Sequence, residues 1–377
     1  MKVLKLSFWT ISFLFILTLA ACSGGGSSSG GGTGTLDIAL SDATIDGCQA
    51  VYVTIAEVQV HKDGGSWEVV ASPEKTYSLL DLVNGVRERL GLSELEAGNY
   101  TQMRLILGHD SDDELNMLGE EHPFANYIID ESSDCHELEV PSGYQTGIKM
   151  VNGFYIYENE RTELLLDFDV YSSIVEAGNS GKMLLKPTVK VINLDNYSDI
   201  SGTVSAEVPL AGVLVSAQIY DDSIDPSFDE KDRVVVQAST RTDADGNYKI
   251  ILPPGTYNIV AYKKGYDPNC YHSPDAYTNS SHTQNFTLNE TVTGVVSGHV
   301  EIIGGSSTQH VTLSFRQIGQ CEGNDIEVRS LNVAKGGDYD VTLPVGPHII
   351  VASTDGGTTV VYEIFVIAGG LTQDITL

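Results

Sequence analysis

Two stretches of this chain, GNYKIILPPGTYNIVA from Gly246 and GDYDVTLPVGPHIIVA from Gly337, share the frame G-x-Y-x-x-x-L-P-x-G-x-x-x-I-V-A. The repetition continues on both sides. Ile200-Ser-Gly-Thr-Val204 has its counterpart in Val296-Ser-Gly-His-Val300, and Thr283-Gln-Asn-Phe-Thr-Leu288 in Thr372-Gln-Asp-Ile-Thr-Leu377. A chain that repeats at this spacing builds one supersecondary unit twice. The period inside the unit is that of a strand. Tyr248, Ile250 and Leu252 fall on one face, and Tyr257, Ile259 and Ala261 on one face of the next run. Asp245-Gly246 suits a hairpin turn with positive φ, and Pro253-Pro254-Gly255 ends the strand. The second copy is degenerate: Gly336-Gly337 replaces the Asp-Gly pair, and His348 stands where the first has Tyr257.

Short alternating runs broken by Gly, Pro, Asn and Asp fill most of the rest, which predicts an all-β chain. One short helix is expected near 77–91, in YSLLDLVNGVRERLG, interrupted by Gly85. In TELLLDFDV (162–170) Leu164, Leu166, Phe168 and Val170 take the core face, and Asp167 and Asp169 an opposite, solvated face. Leu185, Pro187, Val189 and Val191 alternate with Lys186, Thr188 and Lys190, Pro187 marking an edge or a strand start.

The beginning of the chain sets the compartment. Met1-Lys-Val-Leu-Lys5 is basic, and Phe8 to Ala21 is apolar and uncharged. The run is shorter than the roughly 20 residues of a spanning helix and reads as a secretory signal over 1–21. Leu19-Ala-Ala-Cys22 resembles a bacterial lipobox. That resemblance implies Cys22 as the mature N-terminus, carrying the lipid (palmitate among its chains). Ser23 in place of an aspartate implies sorting to the outer membrane of a Gram-negative cell. After Cys22 the 22–35 segment continues as SGGGSSSGGGTGT (23–35), a tether that cannot bury apolar surface.

The formal net charge is −30, with 51 acidic and 21 basic residues. Such a body is repelled by phosphate backbones and anionic headgroups. Nucleic acid is thereby excluded, and the membrane is reached through the lipid anchor. Four cysteines remain beyond Cys22: Cys48, Cys135, Cys270 and Cys321. An even count in an exported chain predicts two disulfides with three possible pairings. Cys48–Cys135 and Cys270–Cys321 are preferred, since each pair stays within one half of the body.

Two family resemblances cover the body. Residues 36–196 resemble the bacterial domain of unknown function 4382, through LDIALSDA (36–43), AVYVTIAEVQVHKDGGSW (50–67), LEAGNYTQMRLILG (95–108), VPSGYQTGIKM (140–150) and KMLLKPTVKVI (182–192). This implies a β-rich domain on an exported lipoprotein and no established chemistry. Residues 197–291 resemble the carboxypeptidase regulatory-like domain, a transthyretin-like sandwich, and 292–377 look like a second copy of the same fold. The resemblance is to the accessory sandwich of those enzymes and not to their metal site.

Candidate chemistry is sparse. His136-Glu-Leu-Glu139 has the H-x-x-E spacing of a zinc site. HELEV reads as a strand, however, and residues three apart on a strand point to opposite faces. Acidic loops at Asp110–Glu114 and Asp221–Asp232 lack the spacing of a calcium loop. Tyr262, Tyr266, Tyr271 and Tyr277 cluster in one loop-rich stretch and could stack on sugars. No nucleophile motif, phosphate loop, metal set or cofactor site is expected. The sequence thus describes a non-enzymatic, envelope-anchored binding, adhesion or scaffolding protein. Its partners would be other envelope proteins or, in the alternative, carbohydrate bound by the sandwich modules.

Overall fold

The computed structural model describes residues 32–43, 48–140, 146–176, 182–276, 279–304, 309–354 and 357–377. The signal, Cys22, most of the tether and Tyr277 lie outside the described residues. Strands dominate, in sandwiches, as the sequence predicts. Two corrections concern element ends. Thr33, Gly34 and Thr35 belong to the first strand, Thr33–Ala43, and pair with Glu96, Leu95 and Glu94. The helix expected near 77–91 is a single 3-10 turn, Leu79–Asp81, between strands Lys75–Ser78 and Glu88–Glu96. Asn84 and Gly85 both have positive φ there, which breaks any helical continuation.

The first 160 or so body residues form a two-sheet unit. One sheet runs Val189–Asn193, Arg161–Asp169, Thr33–Ala43, Glu88–Glu96, with the middle pair parallel. The other is organised on Cys48–Lys62, which pairs with Trp67–Ala71, Lys75–Ser78, Gly98–Leu107 and Asn126–Asp130. Leu36, Ile38, Leu40, Val53, Ile55, Leu164, Leu166 and Phe168 meet between them. Pro187 lies between strands Met183–Leu185 and Val189–Asn193, which join different sheets, and the second is an edge strand.

The two repeats have one strand order. In the first, Asn247–Leu252, Ser198–Ser205 and Ser280–Thr283 make one sheet. Val234–Arg241, Leu214–Tyr220, Gly255–Tyr262 and Asn269–Ala276 make the other. In the second, the corresponding sheets are Asp338–Pro344, Thr293–Glu301, Leu371–Thr372, and Asn324–Ala334, His310–Cys321, Gly346–Thr354, Thr359–Val366. The repeated frame spans both sheets. Asn247–Leu252 and Gly255–Tyr262 do not pair with each other, so Pro253–Gly255 carries the chain across the sandwich and is not a hairpin turn. Gly246 has the positive φ expected, 78°, but its turn also joins strands of opposite sheets. The two faces expected from alternation then look at each other in one core, with Tyr248, Ile250, Leu252, Tyr257, Ile259 and Ala261 all buried.

Two repeated details close each sandwich. The Tyr248 hydroxyl donates to the Gln284 carbonyl at 2.7 Å, and Tyr339 to the Gln373 carbonyl at 2.6 Å. Both carbonyls belong to the repeated T-Q-(N/D) segment. The same carbonyls explain the repeated S-G. A Cβ on Gly202 would sit 1.8 Å from the Gln284 oxygen, and one on Gly298 2.0 Å from the Gln373 oxygen.

The largest departure from the sequence reading is at Asp167 and Asp169, which are buried (7% and 9% exposed) and not solvated. Their strand lies beneath the first repeat. Lys190 Nζ donates to the Val236 and Gln237 carbonyls, both at 2.6 Å. Ile251 packs with Leu165, Ile192 and Leu194. Asp167 accepts from Ser41 Oγ at 3.1 Å. Burial pushes its carboxyl up to about 6 from an ordinary 3.8, with Asp169 adding to the rise and Lys190 and Ser41 opposing it.

Gly202→Ala and Gly298→Ala should each lose about 2–3 kcal/mol in urea unfolding, because the obstructing atom is backbone and cannot swing away. Asp167 gives a pH signature. The folded chain holds its proton more tightly than the unfolded chain, so its contribution to stability is present below about pH 4 and lost as pH rises through 6. Asp167→Asn should therefore stabilise the protein at pH 8, by up to about 3 kcal/mol. In thermal melts that advantage should shrink below pH 6 and vanish near pH 4.

Candidate functional site at the three-domain junction

The residues singled out in the sequence do not gather into one site. Cys270 and Cys321 form a disulfide. It links the two repeats to each other and does not stay within one of them. Cys48 and Cys135 are not bonded to each other. Their strands flank Asn126–Asp130, which separates them, and they pack into different apolar clusters. His136 and Glu139 lie on strand Cys135–Glu139. His136 Nε2 is 2.9 Å from Asp130 Oδ2, and Glu139 pairs with Lys182. Asp112, in the first acidic loop, accepts from the Thr76 amide at 2.8 Å. Among the described residues no group of three or more His, Cys, Asp or Glu could hold a metal ion.

The tyrosines are dispersed. Tyr262 is 5% exposed and donates to the Thr342 carbonyl at 3.0 Å. Tyr266 is half-buried against the first sandwich core. Tyr271 alone of the described three is exposed. Tyr262 and Tyr266 are core residues here, not faces for stacking.

The structure brings together a different set, and the packing of the two repeats creates it. Register places Ser216 opposite Val260 and Ser314 opposite Val351. The frame aligns Val260 with Val351, so Gln218 and Arg316 occupy equivalent positions two residues on. Each bonds its own serine, Gln218 Nε2 to Ser216 Oγ at 2.8 Å and Arg316 Nε to Ser314 Oγ at 3.0 Å. Each then reaches into the other repeat. Gln218 donates to the Glu327 carbonyl at 2.7 Å and accepts from the Glu327 amide at 2.9 Å. Its amide acts as a short extra strand on the outer edge of Asn324–Ala334. The guanidinium of Arg316 donates to the carbonyls of Glu230 (2.8 Å), Lys231 (3.0 Å) and Val234 (3.3 Å), and to the Glu230 carboxylate at 3.2 Å. These acceptors lie in and just after the helical segment Pro226–Arg233, where terminal carbonyls need donors. Tyr262 and Val260 complete the interface by entering the core of the second repeat.

The first domain joins the same assembly. Glu176 pairs in parallel with Val333 on the edge of the second repeat, making one continuous sheet across two domains. Asn84 and Thr240 bond side chain to backbone and side chain to side chain, both at 3.1 Å. The three domains are therefore packed together.

Where they meet lies a cleft of about 580 Å³. Cys48 and Glu131 come from the first domain, Gly212, Leu214, Arg241, Tyr262, Lys263 and Lys264 from the first repeat, and Arg329 and Asp340–Thr342 from the second. Arg241 Nη1 donates to the Gly212 carbonyl at 2.7 Å, and Lys263 Nζ to the Ala211 carbonyl. Sequence reasoning did not select these cations. The one available signal was the Lys263-Lys264 pair following the repeated frame in so acidic a chain.

Gln218→Ala would strip both partners from the Glu327 backbone inside the interface. The expected loss is about 2–3 kcal/mol in urea unfolding, and Gln218→Glu, which cannot donate, should lose nearly as much.

Comparison with known proteins finds two family models that each match a part of the chain. Residues 33–187 match the model of the domain of unknown function DUF4382, and residues 199–289 that of the carboxypeptidase regulatory-like domain. No curated protein matches. Among solved structures, the Bacillus anthracis TIE protein is 12% identical over 92% of this chain and 50% of its own, with a TM-score of 0.20. The chain thus spans half the length of that protein. A Streptococcal ancillary pilin is 11% identical over 91% of this chain and 98% of its own, with a TM-score of 0.19. A DUF3823 family protein from Parabacteroides merdae is 10% identical over 46% and 98%, also at 0.19. The chain thus joins a segment that matches DUF4382 to one that matches the carboxypeptidase regulatory-like domain, and a second unit of the same strand order follows.

Proposed function

We propose that this chain is an exported lipoprotein, held in the cell envelope through Cys22, whose body binds a partner without transforming it. The observation that carries the reading is the lock between the repeats. A disulfide, Cys270–Cys321, and a set of buried polar bonds fix two sandwiches in one orientation. Disulfides persist in oxidising compartments outside the cytoplasm. A body fixed in this way, attached through a Gly/Ser tether, is suited to presenting one surface at a distance from the membrane. The tether supplies freedom of orientation, and the body supplies a surface that loses little entropy on binding. The dispersed tyrosines give no support to sugar stacking.

Cys22→Ala should move the protein from the membrane pellet to the soluble fraction of the envelope. If the variant stays in the pellet as the wild type does, the anchor is wrong. Envelope proteins recovered with the intact lipoprotein, and not with a body whose lock is weakened by Gln218→Ala, would identify the bound partner.

A further inference from the structure

We infer that the three-domain cleft is a binding site for a small, multiply charged oxyanion. This deepens the binding role proposed above and rests on it. The chain has 51 acidic and 21 basic side chains, yet the cleft is lined by four of the basic ones, Arg241, Lys263, Lys264 and Arg329, against two acids, Glu131 and Asp340. The cations come from three strand ends or edges in two repeats, and packing of the repeats is what brings them together. Arg241 and Lys263 are each moored to a backbone carbonyl of the Ala211–Gly212 turn. Mooring lowers the entropy lost when an anion is clasped. Lys264 is exposed and Arg329 is half-buried.

The volume is that of small-ligand sites, which run from about 300 to 1,000 Å³ and favour domain junctions. The same charge distribution sets the size of the guest. A long polyanion must cross a surface of net charge −30, whereas a compact anion meets only the local positive field once it is within a Debye length, roughly 8 Å at physiological salt. Carboxylates or sulfates on a short oligosaccharide and a short polyphosphate share this chemistry.

The test is titration calorimetry on the full chain with four probes: tripolyphosphate, a sulfated disaccharide, a hexuronate trisaccharide, and a neutral trisaccharide of equal size. At least one anionic probe should bind and the neutral one should not. Lys263→Glu together with Lys264→Glu should weaken binding at least about tenfold. Lys62→Glu, at the far end of the strand that begins at Cys48, serves as the control and should change nothing. Which anion binds separates a sugar source from a phosphate source. Anion binding that the double variant leaves unchanged overturns the site while the binding role stands, as does equal binding of the neutral sugar. No binding by any probe also overturns the site. The wider role falls only if, in addition, no envelope partner is recovered with the lipoprotein.

Discussion

Among the described residues Arg316 is the largest of the fully buried side chains, at 1% exposure, and the relation of the two repeats depends on it. A guanidinium carries five N–H donors and no acceptor. Stripped of water, it is tolerated only where the protein supplies an acceptor for each. Here Ser314, three backbone carbonyls and the Glu230 carboxylate meet that number. Moving the second repeat by a few ångströms would leave a buried charge without partners. The repeats are held in register by this penalty for misfit, more than by any net attraction of the ion pair. The disulfide then restrains the same pair at a second point, through the short connection between strands His310–Cys321 and Asn324–Ala334.

The contact between the repeats is roughly reciprocal. The segment Pro226–Arg233, between two strands of the first repeat, packs on Gly346–Thr354 and Thr359–Val366 of the second. The equivalent connection of the second, at Cys321, is fastened to Asn269–Ala276 of the first, the counterpart of Thr359–Val366. Each repeat thus offers the other the same region of its fold, as subunits of a two-fold dimer do. That geometry closes on itself. A head-to-tail array would leave the same surface open for a further copy, while this pair consumes it on both members. The first domain docks on the closed pair along one strand edge, Asn324–Ala334 at Val333.

What alternation reveals, and what it hides, can be seen in one strand. The apolar side of TELLLDFDV goes where its period requires, because Leu164, Leu166 and Phe168 have no stable place but a core. Its polar side is just as regular, and regularity alone cannot distinguish a face covered by water from one covered by another domain. The burial of Asp167 is legible only with Lys190, Ser41 and the first repeat in place. Ser216, Gln218, Ser314 and Arg316 were hidden for the same reason. They read as ordinary solvent-facing positions within good strands. The repeated glycines and tyrosines were legible because both partners of each contact, Gly202 and Gln284 or Tyr339 and Gln373, recur together in the sequence. The cysteine pairing was half legible. Count and compartment predict disulfides, but Cys48 and Cys135 show that strand order decides which pairs can meet.

The cationic cleft follows from these constraints. Interfaces between domains of a very acidic chain bring like charges together, and basic side chains placed there relieve the repulsion. That alone would favour cations at the junction without any ligand. It would also draw them into pairs with the nearby carboxylates, as Arg316 is paired with Glu230. Lys263 and Arg241 are oriented differently. Lys263 Nζ and Arg241 Nη1 each donate to a backbone carbonyl of their own repeat, beside an open volume. Lys263, moored through a neutral carbonyl, keeps its charge available to whatever enters. The long-range repulsion of the body and the short-range attraction of the cleft then act on different partners: the first discriminates against polymers and membrane headgroups, the second in favour of compact anions.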